Sequence, residues 1–190
     1  MPITLVTGPV LEPVTLADAK AFCRVDSNDE DDLFALLIRA ARVYAEGVQH
    51  RAYITRTLKL TTDSWENPFV IPLPPLQSVS SVKYLDQDGT QQTVAASVYS
   101  VGTTHEPGRI TLAYNQVWPE LRGVVDQIEI TYLAGYGLTP ETVPQTIRTA
   151  ILMLVNDRWQ QRETEVTGVS VATIPAVERL LAIDRVFGDL

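Results

Sequence analysis

One cysteine, two histidines and a shortage of basic residues define this chain more sharply than anything it has in abundance. With Cys23 alone, no internal disulfide can form, which fits a reducing compartment. One thiol and two distant imidazoles, His50 and His105, cannot supply a zinc site. Cys23 reads as a small apolar residue on a helix, because a catalytic thiol needs a nearby base and neither histidine sits in a motif that suggests one. Fifteen Lys and Arg against 23 Asp and Glu leave a formal charge of −8, which argues against a protein that grips nucleic acid broadly. An acidic wall standing beside DNA would instead keep it from sticking. No apolar run is long enough to span a bilayer, and M-P-I-T-L-V-T-G-P lacks the basic start and long apolar core of a signal peptide. Walker, G-x-S-x-G and dinucleotide glycine patterns are missing; Gly135-Tyr136-Gly137 reads as a turn.

What is present is a globular composition, 45% apolar and 20% charged over 190 residues, enough for one large domain or a domain carrying an insertion. The organising stretch is residues 143–163. Pro144 suits a first helical position, and Ile147, Ile151, Leu154 and Val155 fall on one face of a 3.6-residue period. Residues 1–14 read as extended. Thr15 and Asp18 match a capping box opening a short helix that ends near Val25. The acidic run 26–32 fails the calcium-loop pattern, with Asp31 and Leu37 at the sixth and twelfth places, and reads as a solvated turn loading the next helix start. A second helix is expected over 32–50 with two apolar stripes. Leu33, Leu36, Leu37, Ala40, Ala41, Tyr44 and Val48 form one; Phe34 and Ile38 form the other. One stripe is expected to pack on the long helix, the other to cover the strands or face another subunit.

From Ile54 the period changes to two, and strands follow to Ala134, the clearest being Gln127 to Ala134. They read as local hairpins and hence an antiparallel sheet, with Gln87-Asp88-Gly89 as one turn. After a polar linker, Pro175 opens a last helix reaching Phe187. Segregated helices and strands give the α+β class: a small helical domain from both chain ends with an inserted antiparallel β domain. The expected divisions are 1–53, the inserted 54–134, 135–163, and a linker with a C-terminal docking helix over 164–190. Glu12, Asp63 and Glu66 are acids that could pair in space, and Trp65, Trp118 and Tyr136 are aromatics that could line a sugar-binding face. Neither set amounts to a catalytic motif, so no enzyme and no cofactor or metal is expected.

Several stretches, in order, resemble the head–tail connector (adaptor) proteins of long-tailed phages and prophages. They include 12–20 (E-P-V-T-L-A-D-A-K), Arg24-Val25-Asp26, 37–42 (L-I-R-A-A-R), 71–79 (I-P-L-P-P-L-Q-S-V), 84–89 (Y-L-D-Q-D-G), Pro107-Gly108-Arg109-Ile110, Trp118-Pro119, 134–137 (A-G-Y-G), Val143-Pro144, Arg162-Glu163 and Ile174-Pro175. The resemblance implies a structural protein of the virion neck, made in the bacterial cytoplasm. It would assemble as a ring, usually a dodecamer, beneath the portal protein, and join it to a tail-side stopper or tail protein. DNA would pass through without specific binding, and no membrane would be involved. By the same likeness the portal contact falls on Leu180, Leu181, Ile183, Val186 and Phe187, although this last helix could equally pack on its own domain; the second stripe of the 32–50 helix, Phe34 and Ile38, offers a surface for a neighbouring subunit. The alternative is a carbohydrate- or peptide-binding module using the β insertion.

Overall fold

The computed structural model describes residues 2–160 and 175–186. Expectations for Arg162, Glu163, the linker over 164–173 and Phe187 lie outside the described residues. The described residues divide into a β unit, residues 2–9, 55–136 and 186, and a helical unit, residues 10–54, 137–160 and 175–185.

In the helical unit, α1 (Leu16–Cys23) opens with the expected box. The Asp18 N–H donates to Thr15 Oγ1 at 3.0 Å, and the Thr15 N–H donates back to Asp18 Oδ2 at 3.4 Å. Each partner satisfies a donor that a helix start leaves free. The acidic turn after α1 is tied by Lys20, whose Nζ meets Asp31 Oδ1 and Asn28 Oδ1, both at 2.6 Å. There α2 (Asp31–Gln49) begins. After a 3₁₀ turn at Pro140–Thr142, α3 (Gln145–Gln160) buries Ile147, Ala150, Ile151, Leu154 and Val155, the face its periodicity predicts. Burying each large aliphatic side chain contributes ~1.5–3 kcal/mol. The last helix, α4 (Pro175–Ala182), packs on α3 and α2 through Val177 and Leu181. Where the β unit departs and returns, Ile54 bridges to Gly137.

The stripes of α2 lie opposite to the expectation. Phe34 and Ile38 are 0% and 3% exposed, and Ala41 and Ala45 continue their face into the core. Phe34 lies against the Trp159 ring of α3, centroids 4.5 Å apart. Of the other stripe, Leu36 and Tyr44 point outward, Leu33, Leu37, Ala40 and Val48 are half-buried and only Ala41 is inside, because the buried face is completed by Arg42, Glu46 and Gln49. Polar letters disguised it in the sequence.

In the β unit, eight strands form two antiparallel sheets. They are β1 (Ile3–Thr7), β2 (Arg56–Thr62), β3 (Phe69–Ile71), β4 (Leu76–Leu85), β5 (Gln91–Thr93), β6 (Tyr99–Gly102), β7 (Gly108–Leu112) and β8 (Ile128–Ala134). The larger sheet runs β1-β2-β8-β4-β5 and the smaller β3-β7-β6. Only β4–β5 and β6–β7 are hairpins between neighbouring strands that follow without an intervening element; β8 is the central strand and reaches back to pair with β2 and β4. The expectation of purely local hairpins therefore fails. Ile128, Ile130, Tyr132 and Ala134 are buried on β8 as its alternation predicts, and the Tyr132 hydroxyl donates to Pro72 O at 3.1 Å. Residues 1–9, expected with the helices, join the β unit: β1 pairs with β2, Ile3 opposite Leu60. A five-residue strand bounded by Pro2 and Pro9 is too short to declare its partner by periodicity.

Candidate functional site

Few groups here are arranged for chemistry. Among the described residues, no three His, Cys, Asp or Glu side chains cluster to hold a metal. Glu12 is taken by an ion pair and Asp63 accepts from the Asp126 N–H at 2.6 Å, so these acids serve structure. Burial raises the Cys23 thiol above its ordinary value, away from nucleophilic use. His105 is exposed, and His50 closes α2 in the left-handed conformation. Trp65 and Trp118 stack on each other, centroids 4.6 Å apart and nearly parallel, with Phe69 meeting both edge-on. Trp65 Nε1 donates to Pro119 O at 2.7 Å. Rings spent on one another leave no open platform for a sugar, so these aromatics hold the β unit together.

The surfaces built for contact are elsewhere. On α2, Leu33, Leu36, Ala40, Val43 and Gly47 follow alternating steps of three and four residues, the spacing with which one helix meets another. Leu36 and Val43 are 58% and 57% exposed, so nothing among the described residues covers these two positions of the seam. Its backing is rigid. Arg42, on the buried side, places Nε 2.6 Å from Glu12 Oε2 and Nη1 2.9 Å from Glu46 Oε2. Burial works against the Arg42 charge, but the hydrogen bond to Glu12 and the two carboxylates outweigh it and hold the guanidinium more firmly protonated than usual. Glu46 Oε1 also accepts from the Tyr53 N–H at 3.0 Å, tying the helix to the segment that follows it. Beside the seam lies a hollow of about 580 Å³, lined by Val10, Leu11, Val14, Leu16, Ala35 and Pro140 among others.

The C-terminal residues divide. Leu181 is buried against its own unit and its carbonyl accepts from Gln49 Nε2 at 2.9 Å; the Asp184 carbonyl accepts from Arg51 Nε at 2.5 Å. Leu181 thus packs on its own unit, one of the two roles open to the last helix. Leu180 and Val186 are half-buried and Ile183 is exposed. Phe34 and Ile38 are buried in their own protomer, with Ile38 also lining the hollow, and Leu36 and Val43 are apolar side chains that this helix leaves exposed. Sequence periodicity held both stripes, and only the polar pairing of Arg42, Glu46 and Gln49 decides which one is inside.

A family model described as phage gp6-like head-tail connector protein matches residues 13–106. Over about half of its length the chain therefore matches the phage head–tail connector family. The matched span holds α1, α2 and the insertion as far as β6, so the outward seam lies within it. Among solved structures, the connector is similar to a chain in the neck of an empty gene transfer agent particle computed with C6 symmetry, with a TM-score of 0.82 at 22% identity, covering 100% of this chain and 98% of that one. A chain from the virion of a native gene transfer agent particle gives 0.79 at 22% identity, and one from a native neck computed with C12 symmetry gives 0.73 at 21%, with the same coverage. At these identities the likeness is one of fold, and it extends over the whole chain. No curated protein matches. The connector is a structural protein and not an enzyme.

Proposed function

We propose that this connector forms a closed ring in the neck of a phage-like particle. The ring sits under the portal protein, joins it to the next tail-side protein and continues the DNA channel. The observation that carries the reading is the connector match over residues 13–106, extended by the whole-chain likeness to proteins of gene transfer agent necks. Those necks were computed with C6 and C12 symmetry, which fits a ring of twelve copies. The formal charge of −8 suits a conduit that DNA must slide past and not adhere to. Ring contacts would use the α2 seam at Leu36 and Val43. The portal contact would use Leu180, Ile183 and Val186, with Leu181 fixing the helix that presents them.

The test is co-sedimentation with the portal ring encoded in the same genome, comparing the wild type with Ile183→Asp and Leu36→Asp. Both positions are exposed, so neither change costs the fold much. The wild type is expected to sediment with the portal. Ile183→Asp should still form rings but lose the portal, and Leu36→Asp should lose the rings. A wild type that ignores a properly folded portal overturns the connector role.

A further inference from the structure

Three of the most exposed apolar side chains sit on one loop of the β unit, between β7 and β8. Tyr114 is 98% exposed, Val117 80% and Val125 75%, with Val124 beside it. The loop is nevertheless pinned. Trp118 anchors it in the aromatic stack, Trp65 Nε1 holds Pro119 O, and Gln127 Oε1 accepts from the N–H groups of Gly123 (2.8 Å) and Val124 (3.2 Å). The Asp126 N–H is held by Asp63, and Glu120 accepts from Gln87 Nε2 at 2.5 Å. A loop that is already ordered pays little ordering entropy on binding, so this one is a preformed prong. Its run from 113 to 119, A-Y-N-Q-V-W-P, carries no charge and can enter an apolar site without desolvating one.

The same chain offers a matching site on its other unit. The hollow beside α2 is within the size that accepts a few side chains, and its lining is chiefly aliphatic. Its rim carries Arg39, exposed and in no ion pair among the described residues, next to the acid Glu141. The prong carries the opposite order, the acid Glu120 and then Arg122, directly behind its apolar tip. Prong and hollow are different patches, and a contact between different patches on successive copies is the kind that propagates and can close into a ring. The hollow also shares α2 with the exposed seam, so a neighbour seated there continues onto Leu36.

We infer that the loop bearing Tyr114 and Val117 of one copy docks into the hollow lined by Val10, Leu11 and Pro140 of the next. This rests on the ring reading and specifies one of its contacts. Two surface variants test it, each in a Cys23→Ser background so that no native thiol competes: Val117→Cys on an untagged chain and Leu11→Cys on a chain with a size tag. The two are mixed, allowed to assemble with and without the portal ring, and oxidised. Covalent pairs of unlike chains are expected to exceed like pairs by about tenfold or more, and Tyr114→Asp should reduce that yield by a similar factor, as loss of a central anchor does. Rings that form without preferential unlike pairs, or whose yield Tyr114→Asp leaves unchanged, overturn this contact and leave the ring standing. Absence of rings from the unsubstituted chain under both conditions overturns the ring reading and this contact together.

Discussion

Replacing Arg42 by methionine should cost the helical unit far more than its single charge suggests. The side chain is largely buried between Glu12 and Glu46, 2.6 and 2.9 Å away. Methionine fills most of the volume but removes the guanidinium that both carboxylates share. Removing one partner of a buried pair typically costs ~3–5 kcal/mol, because the remaining charge keeps its desolvation penalty. Glu12 is partly exposed and can rehydrate, whereas Glu46 cannot, so the low end, about 3 kcal/mol, applies. With a urea slope of ~1–3 kcal/mol per molar, the unfolding midpoint should fall by about 1–3 M. The loss should fall in the transition that reports α2 and α3, which Trp159 fluorescence follows through its contact with Phe34. Adding Glu46→Gln to Arg42→Met separates a stranded charge from mere lost packing. The amide oxygen can still accept from the Tyr53 N–H, so the double variant should regain about 1–2 kcal/mol over the single one. A double variant no more stable than Arg42→Met would refute the stranded-charge argument.

Three further outcomes follow from the packing. Gly108→Ala on β7 should destabilise the β unit by ~1–3 kcal/mol, seen by thermal melting, because its new methyl would stand 2.5 Å from Cβ and Cδ2 of Leu76. Burial raises the Tyr132 phenol well above its ordinary value of about 10, so it stays neutral in the folded protein while the unfolded chain begins to ionise. Its contribution is therefore intact below about pH 10 and falls as pH rises further; absorbance near 295 nm should show one tyrosine ionising only with unfolding, an absorbance step that Tyr132→Phe removes. Cys23, its thiol held protonated by burial, should react with iodoacetamide more slowly at pH 8 in the folded protein than in urea.

The helix starts were legible because their signals are local. Thr15 and Asp18 spell a capping box, and the spacing of Ile147, Ile151, Leu154 and Val155 names a buried face. The strands were legible for the same reason, since alternation needs only near neighbours. Which strand meets which was not. The place of β8 between β2 and β4 depends on residues 44 to 78 positions apart, and nothing in its own letters names them. The proposed interaction surface failed differently. On α2 two apolar stripes compete, and the deciding fact is that Arg42, Glu46 and Gln49 find partners inside, which polar residues do only when the fold supplies them. The loop prong gave no periodic signal at all; exposure of Tyr114 and Val117 is visible only once Trp118 is seen turned inward.

The passage of the chain from β unit to helical unit and back sets a constraint on how it is made. Strand β1 leaves the ribosome first, yet its partner β2 follows only after α1 and α2 have been synthesised, and the central strand β8 comes later still. Throughout that interval an uncharged strand waits without a neighbour, with exposed Leu5 and Val6 and no lysine or glutamate to discourage pairing with another nascent chain. Neither unit is a continuous segment, so neither can finish early and shelter the other. The quantity that limits yield is then the time between β1 and β8, and slowing translation between them should lower the soluble fraction where slowing it after Ala134 does not.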